Sequence, residues 1–205
     1  MALNNLGLLY ELLRQLSAMQ LRSLNMFNHM WLPQLQYTMP EQLATAICAS
    51  IYPSHFDSEE EFLQKVAWLF AWLIPQDGLG QTWHLYRRNN ASTVPEDVAL
   101  QGLFMNLIFY PGCRMTHATI GSMSRLYTCI ITTDPEIQAP DRNGAVFLCV
   151  WPGKPYLGCT SSGTISRGRL DRGISGVISG RPGEQRICAN VSFSAMEAFI
   201  NTLNQ

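Results

Sequence analysis

The spacing of apolar residues changes near residue 112, and this change constrains the fold more than any other feature of the sequence. Before it, leucine and other apolar residues recur three or four positions apart, as on one face of a helix. After it, β-branched and aromatic runs alternate with turn-forming residues. A block of helices followed by a block of strands predicts an α+β fold, with a helical region over 1–112 and a β region over 113–205.

The helical region is expected to contain four helices. They run from Leu3 until Pro33, from Pro40 to Ile51, from Ser58 to Leu73, and from Thr93 until Pro111. The third has the clearest start, because Ser58 followed by Glu61 forms the capping-box pattern and the acidic first turn suits the helix dipole.

Strands are expected in the second region at 126–132, 145–151, 156–160, 174–179 and 186–193. A short final helix is expected to begin at a second capping box, Ser194 to Glu197. The connections are too short for helical crossovers, which predicts a mainly antiparallel sheet. No polar linker separates the two regions, so we expect one fused domain over 1–205.

The composition indicates a surface that contacts partners. Hydrophobic residues make up 47% of the chain, charged residues 14%, and the net charge is −1, which excludes a disordered chain and a polycation that coats nucleic acid. Twelve of the fourteen cationic residues are Arg, and there are nine Met, nine Phe and five Trp. Arg, Met and aromatic residues are enriched at interfaces, although codon bias would give the same counts.

The leading functional prediction is therefore a non-enzymatic structural or assembly subunit. Its partners would be copies of itself or other subunits of a larger complex. A viral coat, matrix or nucleocapsid-type protein has this profile. The N-terminal leucine stripe could be core or could pack against a neighbouring subunit, and core is the commoner role of such a stripe.

The expected location is cytoplasmic and reducing, or within a virion. The longest dense apolar stretch, 66–75, is about half of the ~20 residues that a membrane span needs, so no transmembrane span is predicted. The six cysteines lack Cys-x-x-Cys spacing and are expected to be buried, reduced thiols. Cys113 and His117 could share a helical turn, but two ligands make no zinc site, so neither a metal nor a cofactor is predicted.

Residues 161–186 are rich in glycine, serine and arginine, and five arginines against two acidic residues give this segment a charge of +3. Glycine-rich backbone and guanidinium groups can hold phosphates. An alternative prediction is therefore a phosphate- or nucleic-acid-binding module, against the simpler interpretation of a solvated loop or a subunit contact. The candidate anion-binding residues are Arg167, Arg169, Arg172, Arg181 and Arg186.

Residues 173–176 read Gly-Ile-Ser-Gly, and this Gly-x-Ser-Gly pattern resembles the nucleophile turn of chymotrypsin-like proteases, small viral ones included. In that family a tight turn exposes the serine and directs backbone N–H groups at the oxyanion. The resemblance implies a serine hydrolase with Ser175 as nucleophile. His117, followed by Asp141 or Asp134, would complete the family's order of His, Asp, Ser. The favoured interpretation of the same glycines is a bend or bulge in a strand, so no catalytic residue is assigned.

Overall fold

The helices precede most of the sheet along the chain, and the architecture is α+β as predicted. The structure, a computed structural model, describes residues 2–52, 58–77, 79–87, 114–122, 124–133, 145–160, 167–178 and 185–203. The predicted helix from Thr93 until Pro111 lies outside these residues. In the part of the chain described, no helix is long and apolar enough to cross a membrane.

The described residues between Ala2 and Gln76 form four α-helices and two 3-10 helices. These are α1 (Ala2–Leu13), α2 (Ala18–Arg22), a first 3-10 helix (Ser23–Phe27), α3 (Pro40–Ile51), α4 (Glu59–Leu73) and a second 3-10 helix (Ile74–Gln76). The predicted helices at Pro40 and Ser58 are confirmed, and the Ser58–Glu61 capping box is present.

The expectation of one stretch from Leu3 until Pro33 is wrong. Ser17 interrupts it, because its side chain accepts from the Gln20 amide while the Gln20 side chain accepts from the Ser17 amide. This capping box starts a new helix, in keeping with the preference of serine for the N-cap. After Phe27 the chain continues without regular helix as far as Pro40.

Among the described residues, six strands form one antiparallel sheet in the order β2-β3-β4-β5-β1-β6. The strands are β1 (Trp83–Arg87), β2 (Arg114–Ser122), β3 (Arg125–Thr133), β4 (Ala145–Val150), β5 (Tyr156–Thr160) and β6 (Arg186–Val191). Strands β3 to β6 confirm four predicted strands to within a few residues. Strands β1 and β2 are not among the predicted strands, and β1 lies in the region expected to be helical. In the sheet β1 lies between β5 and β6.

Both faces of the sheet are covered by helices. On one face α4 packs against β2 and β3, and the Phe70 and Phe147 rings lie 5.7 Å apart. On the other face a helix, α5 (Arg167–Ile178), places Ile174 and Ile178 among side chains that include Leu148. Successive residues of β4 therefore point into two apolar layers, which explains why all six are buried.

Two expectations about the last 40 residues are corrected. Residues up to Ile178 belong to the helix α5, not to a strand over 174–179, because Ile174 and Ile178 are one helical turn apart and both are buried against the sheet. The final helix, α6 (Phe193–Thr202), has Ser192 as its N-cap, so the predicted Ser194–Glu197 capping box does not start it. Ser194 instead donates its hydroxyl to the Asp77 carboxylate at 3.1 Å.

Candidate functional site

Most of the exposed apolar side chains lie in one segment of the chain, which runs from α2 to the residue before α3. Nine large apolar side chains are exposed among the described residues, and six of them lie between residues 19 and 39. We call these six, Met19, Met26, Phe27, Met30, Tyr37 and Met39, the Met-aromatic surface. Met30 is 103% exposed, as open to water as in an extended chain, and Met26 is 85% exposed.

Buried leucines of the same segment hold this surface in place. Leu21, Leu24 and Leu35 are each 2% exposed or less, and they anchor the segment to the helical core. Asn25 closes the ten-residue loop between two of these anchors. Its Oδ1 accepts from the Leu35 amide at 3.1 Å, and its Nδ2 lies 3.4 Å from the Leu35 carbonyl oxygen, to which it donates.

Three rings of this segment line up against one ring of α4. The rings of Phe27, His29 and Trp31 are nearly parallel, with centroids 6.4 Å and 5.3 Å apart along the row. Each meets the Trp68 ring nearly at a right angle, and the shortest centroid distance is 4.4 Å, to His29. Edge-to-face contacts of this kind stabilise a fixed geometry, so the backbone on either side of Met30 is held against the helix.

A pocket of about 270 Å³ opens beside this aromatic row. Its lining combines apolar side chains with carboxamides and one imidazole: Leu24, Asn25, Asn28, His29, Leu32, Pro33, Gln34 and Gln36. None of these eight residues is Asp, Glu, Lys or Arg. The pocket therefore suits an uncharged group, which would meet both apolar side chains and hydrogen-bonding amides there.

The whole segment from Ser17 to Met39 contains one charged residue, Arg22. The guanidinium of Arg22 donates from Nε to the Ala18 carbonyl of its own helix at 3.2 Å. The segment is thus poor in charge and rich in exposed methionine.

Ser175, the nucleophile that the protease resemblance implies, does not lie in a turn. Ser175 lies inside α5, and its hydroxyl donates to the Asp171 carbonyl at 2.6 Å. Amides in the middle of a helix bond to carbonyls one turn earlier, so they are not free to form an oxyanion hole. His117 lies on β2, where burial lowers the pKa of its imidazole, and Asp134 and Asp141 lie outside the described residues. The tight turn that the protease resemblance implies is therefore absent at Ser175, which lies within a helix.

The arginines of the 161–186 segment are divided between two elements. Arg167, Arg169 and Arg172 belong to α5, Arg186 belongs to β6, and Arg181 lies outside the described residues. Arg172 and Arg186 are both exposed. Because α5 is helical, the flexible glycine-rich loop that was expected to hold phosphate is not present over residues 167–178.

The leucine stripe of the N-terminus belongs to the core. Leu9, Leu13 and Leu21 are completely buried within the chain itself. The stripe therefore cannot be an interface without unfolding, and the exposed methionines that follow it are the better candidate. The sequence signal for them was the placement of four of the nine methionines between residues 19 and 39 with a single charge beside them.

The described cysteines are free thiols with little reactivity. Burial raises the pKa of Cys48 to about 12, and it also raises the pKa values of Cys129 and Cys149. Such thiols stay protonated at neutral pH and are poor nucleophiles and poor metal ligands. His117 is on a strand, so the helical-turn spacing considered for it and Cys113 does not apply. Over the described residues, no group of three or more His, Cys, Asp or Glu side chains could hold a metal ion.

Comparisons with protein-family models and with curated proteins found no match to this chain.

Proposed function

We propose that this protein is a non-enzymatic structural or assembly subunit that associates with copies of itself through the Met-aromatic surface. The observation that carries the proposal is the concentration of fully exposed methionines, Met26 and Met30 above all, in a segment that is otherwise anchored and nearly uncharged. Large exposed apolar patches on folded proteins commonly mark interaction sites.

The energetics of association favour a contact that uses several of these residues together. Burying one Met or Phe side chain contributes roughly 1.5–3 kcal/mol, whereas association costs an estimated ~4–15 kcal/mol in lost freedom of motion. No single side chain of the surface is sufficient. The six together can supply a stable interface, and the anchored loop adds little further ordering cost because its backbone is already held.

The proposal has a narrower form, in which the subunit is a viral coat, matrix or nucleocapsid-type protein. Electron microscopy separates the two forms: regular particles or sheets support the narrower one, and discrete small oligomers support the general one.

The test is the solution mass of the untagged chain by light scattering over a range of concentrations. We expect a mass of at least twice the 23.0 kDa of one chain. The double variant Met26→Ser with Met30→Ser should shift toward the monomer mass. A control pair, Tyr52→Ser with Leu203→Ser, removes exposed apolar side chains outside the surface and should change nothing. A wild-type chain that is monomeric at all concentrations overturns the proposal.

A second candidate function, phosphate or nucleic-acid binding, is favoured by one observation. Helix α5 buries Ile174 and Ile178 against the sheet and leaves Arg172 exposed. The binding of single-stranded RNA, followed by fluorescence anisotropy at low salt, tests it. Arg172→Gln with Arg186→Gln should weaken binding and reduce its salt dependence, whereas Arg14→Gln, at an exposed arginine paired with Glu11, should not. Equal binding by all three proteins counts against this function.

A further inference from the structure

We infer that Met30 of a second copy enters the pocket beside the aromatic row. The two copies are related by a two-fold axis, so each inserts its Met30 into the pocket of the other. This inference rests on the proposed function, since it specifies the geometry of the proposed self-association.

Met30 protrudes because of the turn that carries it. The Leu32 amide donates to the His29 carbonyl at 3.0 Å, which places Met30 and Trp31 at the corner of a turn. Trp31 packs against Trp68, whereas Met30 is 103% exposed. The turn is thus fixed on one side by aromatic contacts and presents an unbranched apolar side chain to solvent on the other.

The pocket lies next to this protruding residue on the same surface. His29 and Leu32, which close the turn, are themselves lining residues of the pocket. Thioether side chains fill irregular apolar cavities well and make favourable contacts with aromatic rings, here the His29 imidazole. The carboxamides of Asn28, Gln34 and Gln36 line the same cavity. Gln36 Nε2 donates to Gln34 Oε1 at 2.9 Å, which leaves the Gln34 amide N–H groups and the Gln36 oxygen to bond uncharged polar groups of the entering backbone.

A protrusion beside a cavity is the arrangement that a two-fold interface requires. In such an interface the same patch faces itself, so each copy offers its Met30 to the other's pocket and receives one in return. Charged surfaces oppose this pairing because like charges near the axis repel each other. The segment from 17 to 39 keeps this penalty small, since Arg22 is its single charged residue. The interface would close as a dimer, and larger assemblies would be built from that dimer.

The test compares two methionines of the same surface. We expect Met30→Ser to raise the dimer dissociation constant at least tenfold, measured by sedimentation equilibrium. Met39→Ser removes a methionine that is also exposed but lies outside the turn and the pocket, so its effect should be less than threefold. Gln34→Trp should weaken the dimer as strongly as Met30→Ser, because the larger side chain would fill the pocket.

A cross-linking experiment locates the contact directly. Photo-methionine is incorporated into the full chain, and an unlabelled sample is mixed with a ¹⁵N-labelled one so that links between copies are recognised by mass. We expect links between copies from position 30 to residues 24–36. Circular dichroism spectra of the variants that match the wild-type spectrum confirm that the fold is intact.

The outcomes separate the two proposals. A monomeric wild type overturns both. An oligomer in which Met30→Ser and Met39→Ser weaken association equally, with no link from position 30 to the pocket, overturns this inference and leaves the proposed function standing. If Met30→Ser fails to fold, the Gln34→Trp dissociation constant and the cross-links decide the question.

Discussion

Arg125 on β3 and Glu197 on α6 form an ion pair, with 2.8 Å between Arg125 Nε and Glu197 Oε1. Both side chains are partly buried, and the pair joins the final helix to a central strand. Burial raises the pKa of Glu197, the nearby Asp77 carboxylate raises it further, and Arg125 opposes the rise without cancelling it. The loss of hydration at this site thus outweighs the attraction of the ion pair.

We predict that Glu197 makes the free energy of unfolding fall as pH rises above 4.5, the ordinary pKa of a glutamate side chain. Between 4.5 and the raised native pKa, the folded chain keeps a proton that the unfolded chain has lost, so deprotonation favours unfolding. Below pH 4.5 both states are protonated and the contribution is constant. The wild type should therefore lose stability relative to Glu197→Gln as pH rises through this window. Urea unfolding of both proteins at pH 4 to 7 measures the difference, and a difference that is flat or rises with pH contradicts the prediction.

The helical conformation of residues 173–176 can be tested at Gly176, which is exposed within α5. Glycine in a helix interior costs about 0.5–1 kcal/mol relative to alanine, so Gly176→Ala should stabilise the protein by about that amount. In a nucleophile turn or a strand bulge the same change would destabilise it. Gly153→Ala is the matched control: φ is +72° there, so an added Cβ should be destabilising. Urea unfolding of both variants measures the two signs.

Close packing at Gly158 predicts a strong effect of a single added methyl group. A Cβ on Gly158 would lie 2.8 Å from Met196 Cε and 3.3 Å from the Trp151 ring. Met196 is fully buried, so its displacement disturbs the contact between α6 and the sheet. We expect Gly158→Ala to cost about 1–3 kcal/mol in the free energy of unfolding. In the Met196→Ala background the same change should cost less, because the obstructing side chain is gone. Equal costs in both backgrounds would show that Met196 is not the obstacle.

A substitution at Leu9 tests whether the N-terminal leucines stabilise the core of one chain or an interface between chains. It is completely buried in the helical core, so Leu9→Ala should lower the free energy of unfolding by about 2–5 kcal/mol. The loss should appear at protein concentrations too low for association, since it belongs to the single chain. Glu11→Ala, at an exposed position of the same helix, should change stability by no more than about 0.5 kcal/mol. A Leu9→Ala effect that grows with protein concentration would point to an interface instead.

The parts of the fold that could be predicted are those with a strong local signal. Ser58 and Glu61 mark the start of α4 by hydrogen bonds within one turn, and the apolar run of β4 is buried on both sides. Strand β1 carries no comparable signal. Its five residues form a strand because β5 and β6 pair with them on either side.

The errors have the same physical origin. Glycine and serine around Ile174 suggested a strand and a bend, but burial of Ile174 and Ile178 on the sheet favours a helix. The composition favours an interface but does not indicate where on the chain it would lie. Leu24 and Met26 are both apolar, and only the packing of the segment against the helical core buries the first and exposes the second.

The insertion of β1 between two late strands has a consequence for the order of events during synthesis. Trp83 pairs with Thr160 on one side and with Val191 on the other, so both partners emerge from the ribosome long after β1 itself. At ~5–20 residues per second, translation leaves β1 unpaired for several seconds. During that interval its apolar side chains, Trp83 and Leu85, have no sheet to bury them, and the nascent chain depends on its helices or on chaperones to keep this segment from aggregating.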